Sequence, residues 1–367
     1  MSAGLLGAGA VHGPVHRPTA AVRARHERKQ SIPQAELARL VAEWSTGVEP
    51  TEVAGIAEVL ERGRFVPAHR TALRCGGTTV SYGELFESLD RRTAVAGCSE
   101  RAGIWPRVAA ATAAVRAGAP LPVPTPHGRT VLVGAGALAA AAADRRSVAA
   151  ECWENTDRAT GSAHIRLLAA PRAGHDLLIE LLAAIADGAT LVVATDDEHA
   201  DPAALAELIA EHSVTHVVAD LGMLAAFDDI GVTTLPTVRR WDVAGTACPA
   251  SLSRLLTALS PRSTARAAYR LPEYAGPAAR GPLDGTGRMR PIPGARLLVL
   301  NHAGHPVPPG MVGEIYLGGV SLAHGYAEPA ETAQRFVTVP FLPGVRLLRT
   351  GESARWTTDG WLVDATA

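Results

Sequence analysis

Short apolar strands alternate with alanine-rich helices between residue 129 and about residue 260, and this alternation constrains the fold most strongly. The segments predicted as strands are Arg129–Val133, His164–Ala169, Thr190–Ala194 and Thr215–Ala219. The segments predicted as helices are Leu177–Ala186 and Asp201–Glu211, the latter with Asp201 as its N-cap and Pro202 in its first position, and Ala137–Asp144 is predicted as the start of another helix. Regular alternation of this kind favours a parallel sheet covered by helices, so we predict an α/β fold.

Three shorter elements precede this region. Residues 34–44 carry apolar side chains at helical spacing and predict an amphipathic helix. Residues 71–80 predict a β-hairpin that turns at Gly76–Gly77. Ser81–Glu84 has the pattern of a capping box and should open a helix that ends near Ala94.

The sequence pattern changes after about residue 290, where short predicted strands are separated by Gly, Pro and Asn. These strands are Ala295–Leu300, Gly313–Leu317, Arg346–Arg349 and Trp361–Asp364. They favour a small barrel-like β lobe or an antiparallel layer. We therefore predict a disordered tail at 1–32, αβ lobes at 33–290 and a β-rich lobe at 291–367.

The composition excludes several classes of protein. A net charge of −1 and a pI near 6.9 provide no field that would attract nucleic acid or an anionic membrane, so we predict neither as a partner. The four cysteines form no C-x-x-C pair, which argues against a disulfide framework or a zinc site. No apolar run is long enough to span a bilayer, and the first residues lack the pattern of a signal peptide. We predict a cytoplasmic protein.

The most specific sequence pattern lies between Gly313 and Trp356. It consists of GEIYLGGVSLAHGY at Gly313–Tyr326, ETAQRF at Glu331–Phe336 and RTGESARW at Arg349–Trp356. Two earlier segments belong to the same series of motifs. They are VSYGEL at Val80–Leu85 and VRAGAPLPVP at Val115–Pro124. In order and spacing these segments resemble the core motifs of adenylation domains of nonribosomal peptide synthetases, which belong to the adenylate-forming, AMP-binding enzymes. The resemblance covers roughly residues 34–367.

This resemblance implies both a fold and a chemistry. The fold is the large N-terminal part of an adenylate-forming enzyme, with two αβ lobes and a small β-barrel-like lobe. In the chemistry of the family, a carboxylate attacks the α-phosphate of ATP, and the acyl group of the resulting adenylate then passes to a thiol, usually on a carrier protein. Such reactions depend on positioning and on charge neutralisation by Mg²⁺, backbone amides and cations. The implied cofactors are Mg²⁺ and ATP or AMP, and the implied partners are synthetase modules or a carrier protein.

The resemblance assigns two residues of one motif to the nucleotide and the metal. The segment YRLPE, which begins at Tyr269 and ends at Glu273, matches the family's Y-G-P-T-E motif, whose glutamate is a Mg²⁺ ligand. Glu273 is therefore the candidate metal ligand, and Tyr269 and Glu273 are candidate nucleotide-site residues. The Gly, Pro and Thr of the motif are replaced by Arg270, Leu271 and Pro272, so the threonine hydroxyl is absent.

Three further positions are compared with the family in the same way. Glu352 stands where the family has an aspartate that binds the ribose hydroxyls, and a carboxylate can accept both hydrogen bonds. Counting back from Gly188, His175 occupies the position of the aspartate that pairs with the substrate α-amine, and Asp176 is adjacent. Glu352 is thus a third candidate nucleotide-site residue, and His175 and Asp176 are the candidate substrate residues.

Other family elements are predicted to be missing. The only candidate for the glycine-rich phosphate loop, Arg158–His164, has one glycine and no lysine, whereas a phosphate cradle needs successive inward-facing backbone N–H groups. The chain ends at Ala367, so we expect it to lack the family's mobile C-terminal domain with its catalytic lysine. Its one lysine is Lys29, and arginine is a poor substitute for a compact ammonium group. We therefore predict no catalytic residue.

Retained structural motifs and missing phosphate-loop chemistry lead to three hypotheses. The leading one is a degenerate, inactive adenylation-domain homologue that acts as a binding or scaffold protein in nonribosomal peptide (secondary metabolite) biosynthesis. The alternative is an AMP-forming ligase that adenylates an amino acid or another acyl substrate and is completed by a lid domain in trans. The third is a decaying gene fragment that folds poorly.

Two other patterns receive structural interpretations. The segment VLVGAGALA at Val131–Ala139 resembles a dinucleotide-binding fingerprint, but the acidic residue expected about 20 positions later has no clear candidate. The pairs His212 and His216, and His302 and His305, are interpreted as surface histidines rather than metal ligands.

Overall fold

The computed structural model describes residues 33–48, 55–90, 111–151, 164–169, 175–227, 234–245 and 248–365, and the predicted tail at 1–32 lies outside these ranges. The strands are β1 Thr71–Cys75, β2 Thr78–Ser81, β3 Leu121–Pro124, β4 Thr130–Val133, β5 Ile165–Leu168, β6 Thr190–Val193, β7 His216–Asp220, β8 Arg240–Ala244, β9 Thr264–Arg270, β10 Pro277–Pro282, β11 Arg290–Pro291, β12 Ala295–Leu300, β13 Gly313–Gly319, β14 Gly325–Tyr326, β15 Phe336–Val339, β16 Leu342–Trp356 and β17 Leu362–Asp364. The helices are α1 Gln34–Ala38, α2 Ile56–Gly63, α3 Tyr82–Asp90, α5 Ala135–Glu151, α6 Asp176–Asp187, α7 Asp196–Ala200, α8 Pro202–Glu211, α9 Leu221–Ala225, α10 Ala250–Leu259 and α11 Pro329–Arg335, with α4 seen over 111–116 and a π-helical turn at Arg39–Trp44.

Nine strands form the main sheet, in the order β11-β10-β9-β8-β7-β5-β6-β1-β2. The six neighbours from β9 to β1 pair in parallel, and β2, β10 and β11 add antiparallel strands at the two edges. Apart from Arg166 and Thr190, the residues of β5 and β6 are apolar, because helices cover both faces of a parallel sheet. Leu168 and Leu191 accordingly have no exposed surface. The predicted α/β fold with a parallel sheet is confirmed.

Local sequence signals place several elements where they were predicted. The Asp201 carboxylate accepts a hydrogen bond from the backbone N–H of Ala203 at 2.9 Å and so caps α8. β1 and β2 form the predicted hairpin. The backbone N–H of Ser81 donates to the Glu84 carboxylate at 2.8 Å, and the Glu84 N–H donates to the Ser81 hydroxyl at 3.2 Å, which is the predicted capping box. The described part of α3 ends at Asp90.

β4 departs from the predicted series of parallel strands. It pairs antiparallel with β3 and with β14 in a separate three-stranded sheet. Including this segment in the parallel sheet was therefore wrong, because its partners lie outside the alternating region of the sequence. The dinucleotide-fingerprint interpretation also loses its structural context. A Cβ atom at Gly134 would lie 2.4 Å from Nε2 of His324, so the absence of a side chain at Gly134 makes room for the His324 ring.

The last part of the chain forms an antiparallel sheet in the order β12-β13-β16-β15, with β17 beside β16. The predicted N-terminal helix packs on it, since the Trp44 and Trp356 rings lie 6.2 Å apart between centroids. Gly360 has a φ of +78°, and a Cβ there would lie 2.8 Å from the Trp44 ring. Within the ranges listed above, no helix has the length and apolar character needed to cross a membrane.

Candidate active site

The predicted site residues lie around the carboxyl edge of the parallel strands, where open α/β sheets bind ligands. Tyr269 and Arg270 end β9, and Glu273 follows in the loop that leads to β10. Asp176 is the first residue of α6, the helix that follows β5 in the chain. Glu352 lies on β16 of the antiparallel sheet. Residues from distant parts of the sequence therefore contribute to one region.

Asp176 forms an ion pair with the guanidinium group of Arg270. The two side chains are only 21% and 13% exposed. Arg270 occupies the glycine position of the Y-G-P-T-E pattern, so its side chain fills space that a glycine would leave open. The carboxylate at the candidate substrate position is therefore neutralised by a cation of the same chain.

His175 is buried beside this ion pair, with 6% of its surface exposed. Burial, assisted by the positive charge of Arg270, lowers the pKa of His175 to about 3. The imidazole is therefore neutral at pH 7 and offers no charge to a substrate amine. Of the two candidate substrate residues, only Asp176 carries a negative charge.

Glu273 is also buried, and its carboxylate is engaged by Tyr326 of β14. The Tyr326 hydroxyl donates a hydrogen bond to Oε1 of Glu273 over 2.6 Å. Burial and the neighbouring Glu273 carboxylate raise the pKa of Tyr326 to about 12, so the phenol keeps the proton that it donates. Glu273 and Tyr326 belong to two separate motifs of the sequence, and this hydrogen bond joins them.

Replacing Tyr326 by Phe should lower the free energy of unfolding by about 1–3 kcal/mol, because the buried Glu273 carboxylate loses a hydrogen-bond donor. Phenylalanine keeps the edge contact with Phe336, whose ring centroid lies 5.6 Å away. Urea denaturation of Tyr326→Phe, Glu273→Ala and the double variant gives a double-mutant cycle. A coupling energy near zero would contradict the hydrogen bond.

Glu273 would provide only one carboxylate to a metal ion. No group of three or more His, Cys, Asp or Glu side chains is arranged to hold a metal anywhere in the described ranges. A Mg²⁺ ion at Glu273 would therefore take its other ligands from phosphates and water, a coordination that is common for this ion.

Tyr269 and Glu352 line one small cleft between β9 and the antiparallel sheet, with Ile315 and Ala354 on its apolar side. Burial, and secondarily the Glu352 carboxylate, raise the pKa of Tyr269. The free volume of the cleft is about 20 Å³, which is room for about one water molecule. The structure thus brings two predicted nucleotide-site residues together, but a ribose would need their side chains to move apart.

A buried ionic network lies next to the site, between α5, α6 and the main sheet. Its members are Arg145, Arg166, Arg240, Arg280, Asp144, Glu180, Asp187 and Asp242. Arg145 joins two of the anions, with Nε 2.8 Å from Glu180 and Nη1 2.8 Å from Asp242. Arg146, which is 35% exposed, also pairs with Asp187 over 2.7 Å, so each carboxylate of the network has at least one guanidinium partner, as buried ions require.

Asp242 makes the most ion pairs in this network. Its carboxylate oxygens lie 2.8 Å from Arg145, 2.9 Å from Arg240 and 4.0 Å from Arg280. Burial opposes ionisation of the carboxyl, but the three guanidinium groups outweigh burial and hold the pKa of Asp242 well below its usual range. Asp242 is therefore charged throughout the physiological pH range.

Some predicted features fall elsewhere. The candidate phosphate loop lies mostly outside the described residues, which resume at His164. His216 is buried on β7, with its ring centroid 6.0 Å from that of His164, so interpreting it as a surface histidine was wrong. Four consecutive residues of β7, His216 to Ala219, are buried, because both faces of this central strand are covered. His302 and His305 are exposed, as predicted.

Sequence reasoning missed both the Arg270–Asp176 pair and the ionic network. A signal for the network existed, because Arg166 and Glu180 are charged residues inside otherwise apolar segments. A charged residue at a buried position is informative, since such residues are rarely buried without a partner. The sequence contained no signal for which residues would pair.

Comparisons with known proteins agree with this architecture. The model of the family described as "AMP-binding enzyme" matches residues 129–327. Phosphinothricin tripeptide synthetase PhsB of Streptomyces viridochromogenes is 41% identical over 192 residues, which cover 50% of this chain and 16% of that protein. Novobiocin biosynthesis protein H of Streptomyces niveus is 39% identical over 217 residues, which cover 55% of this chain and 34% of that protein. The chain thus corresponds to a minor part of each relative.

Solved structures show the same fold. The nonribosomal peptide synthetase FmoA3 in its AMPPNP-bound form superposes with a TM-score of 0.71 at 20% identity, over 96% of this chain and 46% of that chain. The N-terminal subdomain of Klebsiella oxytoca NpsA superposes with a TM-score of 0.62 at 17% identity, over 86% of this chain and 98% of that chain. The predicted correspondence to the large N-terminal part of an adenylate-forming enzyme is confirmed. Because the family match covers more than half of its 367 residues, the chain belongs to the AMP-binding enzyme family.

Proposed function

We propose that this chain is a noncatalytic member of its family that acts as a binding or scaffold protein in nonribosomal peptide biosynthesis. One observation carries the proposal. The carboxylates at the candidate substrate and metal positions, Asp176 and Glu273, are both engaged by side chains of the same chain, Arg270 and Tyr326. An active site of this family would keep such groups available to its ligands.

The internal partners make ligand binding less favourable. An amine that pairs with Asp176 would first have to displace the Arg270 guanidinium, which is 13% exposed and would lose its counter-ion. Leaving a charged group without its partner costs about 1–3 kcal/mol, and this cost weakens a ligand by roughly tenfold to a hundredfold. The effect on Mg²⁺ at Glu273 is smaller, because the Tyr326 hydroxyl is uncharged and occupies only one of about four acceptor positions of the carboxylate.

The proposed partners follow from the relatives, several of which are named as peptide synthetases. We propose a synthetase module or a carrier protein. Pull-down with purified modules and carrier proteins tests this part, and the absence of any complex at micromolar concentration would refute it. A cooperative thermal melt of the same preparation would exclude a decaying fragment that folds poorly.

One observation favours the second candidate, an AMP-forming ligase that uses Mg²⁺ and ATP and is completed by a lid domain in trans. Glu352 is exposed and lies beside Tyr269, so a carboxylate remains accessible at the position that the resemblance assigns to the ribose. The FmoA3 neighbour is described as bound to AMPPNP. Nucleotide binding therefore separates the two candidates.

Calorimetric titration of the protein with Mg·ATP and with AMP is the experiment that decides between them. We expect no saturable heat. We also expect no rise of the melting midpoint, since a ligand raises this midpoint only when it binds the folded state. Micromolar binding that disappears in Glu352→Ala, but persists in the exposed control Glu207→Ala, would support the ligase. The variant Arg270→Gly is titrated in the same way. If this variant binds the nucleotide and the wild type does not, Arg270 covers a nucleotide site.

A further inference from the structure

A second pocket lies at the opposite edge of the main sheet from the candidate active site. Its floor includes Ile165, the first residue of β5, and Val192, the third residue of β6, and the pocket volume is about 250 Å³. Its charged and polar rim consists of Arg70, Thr71, Arg74, Thr190, Glu211 and His212. Polar groups above two apolar side chains suit a small ligand with a polar or charged end, and the volume lies just below the usual range for small-molecule sites.

The rim has an excess of positive charge. Two guanidinium groups, those of Arg70 and Arg74, face the single carboxylate of Glu211. Neither arginine forms an ion pair within the part of the chain that the structure describes. The buried arginines near the candidate active site, by contrast, are balanced by carboxylates. Among the described residues that line it, the pocket therefore carries one more positive than negative charge.

The hydrogen bond between Arg74 and His212 determines which nitrogen of the His212 ring is a hydrogen-bond donor. Nη1 of Arg74 lies 3.1 Å from Nδ1 of His212. Since a guanidinium group can only donate, Nδ1 must be the acceptor, and the proton of the neutral ring is then on Nε2. The rim thus combines two guanidinium groups with an imidazole N–H, all of them donors that suit an oxyanion.

We propose that this pocket binds a small monocarboxylate with an apolar body. One negative charge matches the excess positive charge of the rim, and the apolar body would contact Ile165 and Val192. A dianion such as a phosphate ester fits less well, because Glu211 and the last carbonyl groups of α8 add negative potential at the same rim. The proposal is independent of any activity at the candidate active site.

Isothermal titration with sodium benzoate as the probe tests the proposal. We expect saturable binding that weakens at least about tenfold in Arg74→Met, which keeps the length of the side chain but removes its charge. Benzyl alcohol, which is similar in shape but neutral, should bind at least about tenfold more weakly than benzoate. The control variant Arg254→Met, at an exposed position on α10, should bind benzoate like the wild type.

Three results would overturn the proposal. They are absence of saturable benzoate binding by the folded wild type at about 20 mM, equal benzoate affinity of Arg74→Met and the wild type, and tighter binding of inorganic phosphate than of benzoate. Thermal melts show whether each variant is folded. If Arg74→Met does not melt cooperatively, Arg70→Met at an exposed position of the same rim provides the same comparison.

Discussion

Replacement of Asp242 by Asn should lower the free energy of unfolding by about 3–5 kcal/mol, which is the largest effect of a single substitution that we expect. The buried carboxylate lies within 4.0 Å of three guanidinium groups, those of Arg145, Arg240 and Arg280. Asparagine keeps the shape of the side chain but removes the negative charge, and it leaves the buried cations without a counter-ion. Urea denaturation followed by circular dichroism measures the change.

A control substitution in an exposed ion pair separates the effect of burial from the effect of removing a charge. Glu58 pairs with Arg62 one helical turn away, and both side chains are more than half exposed. Glu58→Gln should therefore change the free energy of unfolding by less than about 1 kcal/mol. A loss below about 1 kcal/mol in Asp242→Asn as well would contradict the buried network.

Acidification from pH 7 to about pH 4.5 should destabilise the protein by several kcal/mol, because two buried histidines stay neutral in the folded state. Burial lowers the pKa of His175 to about 3 and that of His216 well below its usual value. In the unfolded chain both rings take up a proton near pH 6.5. The unfolded state then binds more protons than the folded state, so stability falls as the pH decreases from about 6.5 towards the folded-state pKa.

The expected slope is up to about 1.4 kcal/mol per pH unit for each buried histidine. Unfolding free energies measured between pH 7 and pH 4.5 should show a shallower slope in His175→Asn, which cannot be protonated in this range. His302→Asn, at an exposed position, should leave the slope unchanged. Equal slopes in His175→Asn and the wild type would mean that His175 is not a buried neutral group.

The contribution of Asp242 is lost in a different pH window. Its folded-state pKa lies below its unfolded value near 3.9, so its stabilisation is complete above that value and decreases as the pH falls through the folded-state pKa. Loss of stability above pH 4.5 therefore reports the histidines, and further loss at lower pH includes the ionic network.

Elements with local signals were predictable from the sequence. The helix α8 was placed by Asp201 and Pro202, whose cap and first-turn positions need no information from the rest of the chain. The hairpin of β1 and β2 was placed by its glycine turn in the same way. The parallel sheet followed from the alternation of strands and helices, and the family resemblance supplied the order of the lobes.

Elements that depend on distant partners were not predictable. β4 has the composition of a buried parallel strand, but its antiparallel partner β14 is formed by Gly325 and Tyr326. In the candidate site, Tyr269, Glu273 and Glu352 were predicted from motifs. The partners that Asp176 and Glu273 take, Arg270 and Tyr326, depend on how separate segments pack, which neither periodicity nor spacing encodes.

The pairing of β4 with β14 has a consequence for synthesis on the ribosome. While the nascent chain is still shorter than Tyr326, β4 has only β3 beside it and presents an open strand edge near Val131 and Val133, which are fully buried in the finished fold. Unpaired apolar edges are sites of aggregation in partly folded chains. In the same incomplete chain, the Glu273 carboxylate would lack the hydrogen bond that the Tyr326 hydroxyl donates. A shortened version for expression should therefore extend beyond Tyr326, so that β4 has both of its partner strands.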